Sequence, residues 1–234
     1  MRAMPSRVQI EIPSAGPVTA IVYEATPGKR AGIALLLGHG AGGNQMSPFM
    51  VDYAKRLAER GIEVASFNFL YSEQKRKLPD RTDKLEACWR AVIHAARSGA
   101  LGPEIARAKL AIGGKSMGGR IASQVAAADS EGIAGLVLLG YPLHPPGRPE
   151  QLRTKHLPAI AVPMLIVQGE RDTFGTPDEL RPVLRALKAK SELFVVEAGD
   201  HSFKVPKSAG TPQAQVHGRI LDEIARWLRA TAGA

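Results

Sequence analysis

From about residue 33 onward the chain alternates between short, uninterrupted apolar runs and longer stretches in which apolar residues recur at helical spacing. Ile33-Ala34-Leu35-Leu36-Leu37, Met164-Leu165-Ile166-Val167 and Leu193-Phe194-Val195-Val196 are runs of the first kind. A strand that is apolar throughout must be covered on both faces, and the helical patterns at 49–60, 84–98, 117–128, 178–187 and 216–230 supply the covers. Strands at Ile33, Glu63, Lys109, Gly135, Met164 and Ser191 therefore read as a mainly parallel sheet with helices on both faces, an α/β architecture. Upstream, 8–11 and 18–23 read as an opening hairpin. Two connections, 70–82 and 142–162, exceed ordinary loop length, and both leave the C-terminal edge of the sheet. They are too short for a large cap, so any site at that edge is expected to be shallow and open, with Tyr71, Leu143 and Phe174 lining it.

One junction carries chemistry. Gly114-Lys115-Ser116-Met117-Gly118 follows the apolar run Leu110-Ala111-Ile112 and precedes the helical stretch 121–128, so a strand turns sharply into a helix with a serine at the corner. That is the pattern of a nucleophile elbow. The turn needs small residues around the serine because a Cβ there would strike the neighbouring strand or the crossing helix, and Gly113, Gly114, Gly118 and Gly119 meet the need. The N–H of Met117, at the helix start, faces where an oxyanion would develop. A phosphate loop is the rival, since Gly114-Lys115-Ser116 matches the end of G-x-x-x-x-G-K-[ST]. It fails because the first glycine of that motif falls on Lys109 and the loop is too short to wrap a phosphate.

Chain order strengthens the elbow. A serine nucleophile needs a base and an acid, and on a sheet of this kind they follow in the order Ser, acid, His, each just past the end of a strand. Asp172 follows the strand 163–168, and His201 follows the next strand. Asp in a turn is commonly a turn former and a lone His commonly a packed residue, but the two together in this order read as acid and base. Gly38-His39-Gly40-Ala41-Gly42-Gly43 follows the strand at Ile33, where the other half of an oxyanion hole belongs. Ala41 is the first choice of N–H donor and Gly42 the second, with Met117 opposite. His39 is expected to brace this loop.

Four segments together carry a family resemblance. They are 39–43, Gly113-Gly114-Lys115-Ser116-Met117-Gly118-Gly119-Arg120, the stretch 139–147 and Gln168-Gly169-Glu170-Arg171-Asp172. The chain resembles the dienelactone-hydrolase-like α/β hydrolases, and within them a branch that includes testis-expressed proteins and a subunit of the NSL chromatin complex. The resemblance implies an α/β-hydrolase fold with a minimal cap, Ser116 as nucleophile, Asp172 as acid and His201 as base. Some dienelactone hydrolases use cysteine where this chain has Ser116, which argues against a dienelactone substrate. The reading is a serine hydrolase acting on small-molecule esters or thioesters. Its alternative is a non-catalytic binding or scaffold module on the same fold.

Composition narrows the picture. The 234 residues fit one α/β unit able to bury roughly 70 to 75% of its unfolded surface. There is no repeat, low-complexity tract or linker. Residues 1–14 lack the apolar core of a signal peptide, and no apolar run approaches a membrane span, so a cytoplasmic protein without membrane attachment is expected. Cys88 is the only cysteine; it excludes an internal disulfide and reads as packing. No metal or cofactor is expected. The net charge of +9 suggests nucleic acid, but the basic residues do not gather at the sheet edge and aromatics are sparse, so no nucleic-acid partner is expected. Lys75-Arg76-Lys77 reads as a solvated loop, with steering of an anionic substrate or partner as the alternative.

Overall fold

The computed structural model describes residues 4–233; residues 1–3 of the segment read above for a leader lie outside them. An opening hairpin, β1 (Ser6–Ile12) and β2 (Gly16–Tyr23), leads to β3 (Ile33–Gly38), α1 (Pro48–Glu59), β4 (Glu63–Phe67), α2 (Leu70–Glu73) and α3 (Thr82–Arg97). There follow α4 (Pro103–Arg107), β5 (Lys109–Lys115), α5 (Met117–Ala128), β6 (Ile133–Leu139), β7 (Met164–Gly169), α6 (Pro177–Arg185), β8 (Ser191–Val196) and α7 (Gln213–Gly233). The eight strands form one sheet in the order β1-β2-β4-β3-β5-β6-β7-β8. β1, β2 and β4 pair antiparallel, and the remaining pairs, from β4–β3 to β7–β8, are parallel.

The strand pattern decides the layering. All six residues of β3 are buried, and they alternate between two cores: Ala34 and Leu36 on one face, Ile33, Leu35 and Leu37 on the other. Apolar residues of α3, α5 and α6 close the first core, around Trp89; those of α1 and α7 close the second, around Trp227. Gly38 and Gly135 let those indoles approach the sheet closely, since an added Cβ would sit 2.8 Å from the Trp89 ring and 2.7 Å from that of Trp227.

After β3 the chain moves to β4 on one side, and β5 lies on the other. The crevice beyond the ends of β3 and β5 is thus the topological switch point, where open α/β sheets bind ligands.

The observed elements differ from the pattern reading mainly where elements are short. α2 occupies the start of the 70–82 connection, and α4 was not anticipated, because a four- or five-residue helix is too brief to show a period. α6 begins with a capping box in which Thr176 accepts from the Glu179 N–H and the Glu179 carboxylate accepts from the Thr176 N–H. Among the described residues no helix is long and apolar enough to cross a membrane.

Candidate active site

Ser116 lies between the end of β5 and the first residue of α5, with φ 50° and ψ −114°. This backbone region is sparsely populated by residues with a side chain, and holding a residue there costs roughly 1–3 kcal/mol. The surroundings enforce it: the Ser116 N–H donates to Leu139 O at 2.9 Å, and its carbonyl accepts from the Arg120 N–H at 3.0 Å. The flanking glycines are steric requirements. A Cβ at Gly114 would lie 2.1 Å from Gly38 O, and one at Gly118 would lie 2.2 Å from the same atom. The elbow therefore presses on the end of β3, and the serine hydroxyl projects from the sheet edge.

Three loops converge on that hydroxyl. His201, after β8, places Nε2 2.9 Å from Ser116 Oγ, and its Nδ1 lies 2.7 Å from Asp172 Oδ2. Asp172, after β7, is 1% exposed. Its Oδ2 also accepts from Gln168 Nε2 at 2.9 Å, and its Oδ1 accepts from the Phe174 N–H at 2.8 Å. The neighbouring acids do other work: Asp200 accepts from the Ser202 and Lys204 N–H groups, and Glu170 accepts from the Ala198 N–H. Phe174 lies against the imidazole, ring centroids 4.3 Å apart.

Two supports were not read from the sequence. Gln168, fully buried at the end of β7, donates to Asp172, Tyr141 O and Gly175 O and accepts from the Tyr141 N–H. Lys115 donates from Nζ to His201 O at 2.6 Å and stands 5.6 Å above the Phe203 ring. Burial pulls the Lys115 ammonium down to about 8, against the opposing pull of the Asp172 and Asp200 charges. Gly140, at φ +63°, leaves room for it, since a Cβ there would sit 2.8 Å from Nζ.

The loop after β3 is braced from below. His39 is fully buried, its Nε2 accepting from the Phe69 N–H at 3.2 Å while Nδ1 donates to Gly40 O at 2.9 Å. Burial lowers its pKa to about 4, which keeps the ring neutral in that tautomer. Gly40, Ala41 and Gly43 line the cleft together with Met117. Met117 is the first residue of α5, so its N–H has no acceptor within the helix. Gly42, at φ +73°, is not among the residues that line the cleft.

Two expected lining residues are buried elsewhere. Tyr71 is 1% exposed and Leu143 0%. α2 turns Tyr71 inward beneath the loop after β3, where its ring packs near Phe69 and His39. Leu143 packs against Gly175, whose Cβ, if present, would lie 2.6 Å from that of Leu143. Both follow a sheet edge in sequence, but burying a large side chain gains about 1.5–3 kcal/mol over leaving it at an open rim. Phe174 does line the cleft.

The cleft has a volume of about 930 Å³. One wall comes from α1 and α7, with Phe49 stacked on Tyr53 at 4.0 Å and the Tyr53 hydroxyl 2.9 Å from His217 Nδ1. Arg120, Pro142, Arg153 and Phe174 line another part, with Pro79, Asp80, Arg81, Thr82, Leu85 and Lys204 completing the rim. Helical periodicity alone assigns Phe49 and Tyr53 to the core, and nothing in the linear sequence separates them from it.

A mainly parallel sheet whose switch-point crevice holds a strained serine bonded to a histidine and a buried aspartate has the arrangement of an α/β-hydrolase fold. The chain belongs to the alpha/beta hydrolase domain family, whose model matches residues 31–229. Among solved structures, it is similar in fold to an α/β serine hydrolase without a lid from Xanthomonas campestris. That match has 21% identity over 97% of each chain and a TM-score of 0.74. An α-β serine hydrolase homologue from Coxiella burnetii matches at 20% identity over 98% of this chain and 97% of that one, with a TM-score of 0.71. A dienelactone hydrolase from Anabaena variabilis matches at 18% identity over 98% and 97%, with a TM-score of 0.68.

Proposed function

We propose that the protein is a serine hydrolase acting on small carboxylic esters or thioesters through an acyl-enzyme on Ser116. The observation that carries this reading is the unbroken relay from Ser116 Oγ to His201 at 2.9 Å and from His201 to Asp172 at 2.7 Å. Serine is a weak nucleophile until a base takes its proton. In the first half-reaction His201 Nε2 accepts the Ser116 proton as Oγ attacks the substrate carbonyl. Asp172 holds the proton on Nδ1 and stabilises the imidazolium so formed. The N–H groups of Met117 and Ala41 receive the oxyanion, with Ala41 preferred to Gly42 because it lines the cleft. Collapse expels the alcohol or thiol, which takes the proton from His201. Water then attacks the acyl-enzyme with His201 again as base, releasing the acid and free Ser116.

The chemistry calls for no metal or cofactor. A cytoplasmic location and a small-molecule rather than nucleic-acid substrate belong to the same proposal. The narrower resemblance to the branch with testis-expressed proteins and an NSL complex subunit carries the scaffold alternative. Against that alternative stands the strain held at Ser116, which a purely binding module would have no reason to keep. Hydrolysis of 4-nitrophenyl acetate by the purified protein, compared with Ser116→Ala, tests the reading. Turnover is expected from the wild type and loss of the serine-dependent rate in the variant; equal rates in both would refute it.

A further inference from the structure

Charge is unevenly spread over the lining of the cleft. The part of the lining from α1 and α7 carries Phe49 and Tyr53, whereas Arg120 and Arg153 line another part; Arg81, Lys115 and Lys204 are the other cationic residues of the cleft. Arg120 stands one helical turn from Ser116 in α5, and Arg153 comes from the connection between β6 and β7. Their backbones are pinned: Arg120 O accepts from Ser123 Oγ at 2.7 Å, Arg153 O accepts from the Tyr141 hydroxyl at 2.7 Å, and the Arg153 N–H donates to Leu143 O at 2.7 Å.

The side chains are left without counter-charge. Arg120 Nη1 donates to Gln124 Oε1 at 3.2 Å, and Arg153 Nη1 donates to Pro142 O at 3.3 Å. Among the described residues no ion pair reaches either guanidinium. Of the two aspartates of the cleft, Asp52 pairs with Arg56 at 3.2 Å, and Asp80 pairs through Oδ1 with Arg76 at 2.7 Å while its Oδ2 is buried without a partner. Glu86, whose charge is felt at Arg120, is bonded to Arg90. Burial first, and then the nearby charge of Arg153, lower the Arg120 pKa. His156, behind them and bonded to Ser123, is held to about 4 by burial and by Arg120. Two like charges fixed near each other in a partly dry wall repel, and a ligand oxyanion that neutralises both would relieve that repulsion.

We propose that Arg120 and Arg153 form an anion subsite, and that the substrate is an ester carrying a carboxylate or phosphate-type group beside the scissile bond. The inference rests on the hydrolase reading above and adds the substrate class. Planar guanidinium forks suit both oxyanions, and charge-assisted bonds of this kind are about twice as strong as neutral ones. With the anion on the arginine wall, the opposite portion of the ester faces Phe49 and Tyr53.

The test compares three 4-nitrophenyl esters of similar length: the mono-ester of adipic acid, its methyl-capped neutral counterpart, and the 5-phosphonopentanoate. The wild type should favour an anionic ester over the neutral one in kcat/KM by about tenfold or more. Whichever anion is favoured identifies the source. The advantage should shrink as salt is raised, and in Arg120→Gln/Arg153→Gln the anionic-to-neutral ratio should fall to near one. Arg153→Lys, which keeps the charge, should retain part of it. Thermal melting and fluorophosphonate labelling of each variant verify that the fold and Ser116 are intact; if the double variant does not fold, Arg153→Gln alone carries the comparison. Equal or better turnover of the neutral ester, or a preference that survives loss of the arginines, overturns the subsite while leaving the hydrolase intact. No labelling and no turnover of any ester by the wild type would overturn both.

Discussion

Lys115 Nζ donates to the carbonyl oxygen of His201 at 2.6 Å, so the residue before the serine holds the loop that carries its hydrogen-bonded histidine. The elbow and the histidine loop are thereby joined twice, through the backbone carbonyl and through the Ser116–His201 bond at 2.9 Å. Since burial lowers the lysine to about 8, the charge-assisted bond is present below that pH and is lost above it. Ester turnover should fall as pH rises through about 8, and Lys115→Met should lower kcat more than it raises KM while losing that alkaline limb.

Stability should move in the opposite direction. Between about 8 and the ordinary lysine value of 10.5, the unfolded chain binds the Lys115 proton more than the folded one does. The linkage therefore makes this group's contribution to stability rise with pH over that window. Denaturant melts of wild type and Lys115→Met at pH 7.5 and 10 should show the wild type gaining relative to the variant. No relative change would remove the lysine from the account.

Backbone strain at Ser116 gives a prediction about stability alone. Glycine accepts φ near 50° without penalty, so Ser116→Gly should be inactive yet more stable than wild type by about 1 kcal/mol. Calorimetry would detect the corresponding rise in Tm; a lower Tm would mean that the serine side chain contributes to packing.

Gly118→Ala should do the reverse. Its Cβ would lie 2.2 Å from Gly38 O, a backbone atom of a central strand that cannot move aside. A loss of about 3 kcal/mol or more, or failure to accumulate as folded protein, is expected. Gly42→Ala, with open space around its Cβ site, should cost far less, limited to the strain of its positive φ.

The parts legible in the sequence were those with a local cause. The elbow needs glycines at fixed offsets from Ser116, and uninterrupted apolar runs mark doubly covered strands, so the sheet and the positions of Ser116, Asp172 and His201 could be read directly. Tyr71 and Leu143 could not be placed, because whether a side chain beside a sheet edge faces the cleft or the core depends on α2 and on Gly175, which are tertiary matters. Gln168 is illegible for the same reason: its meaning comes from Tyr141, Asp172 and Gly175, which the fold brings around it.

Asp172 is the buried end of the relay, and Asp172→Asn keeps its volume while removing the charge that stabilises the imidazolium. The variant should lose on the order of 10⁴ in kcat with its fold retained. Circular dichroism and steady-state kinetics together check this; a loss of less than about tenfold would mean that another group supports His201.

Chain-length preference reports on the open cleft. With connections too short to enclose a long acyl chain, kcat/KM should peak among short acyl 4-nitrophenyl esters. A steady rise out to lipid-length chains would require a buried channel that this cleft does not provide.

In the proposed mechanism His201 makes Ser116 nucleophilic. Intact-protein and peptide mass spectrometry after treatment with a fluorophosphonate measures it directly. One phosphonyl adduct on Ser116 is predicted in the wild type, none in Ser116→Ala, and labelling slowed by orders of magnitude in His201→Ala. An adduct on any other residue, or labelling of Ser116 at the same rate without His201, would contradict it.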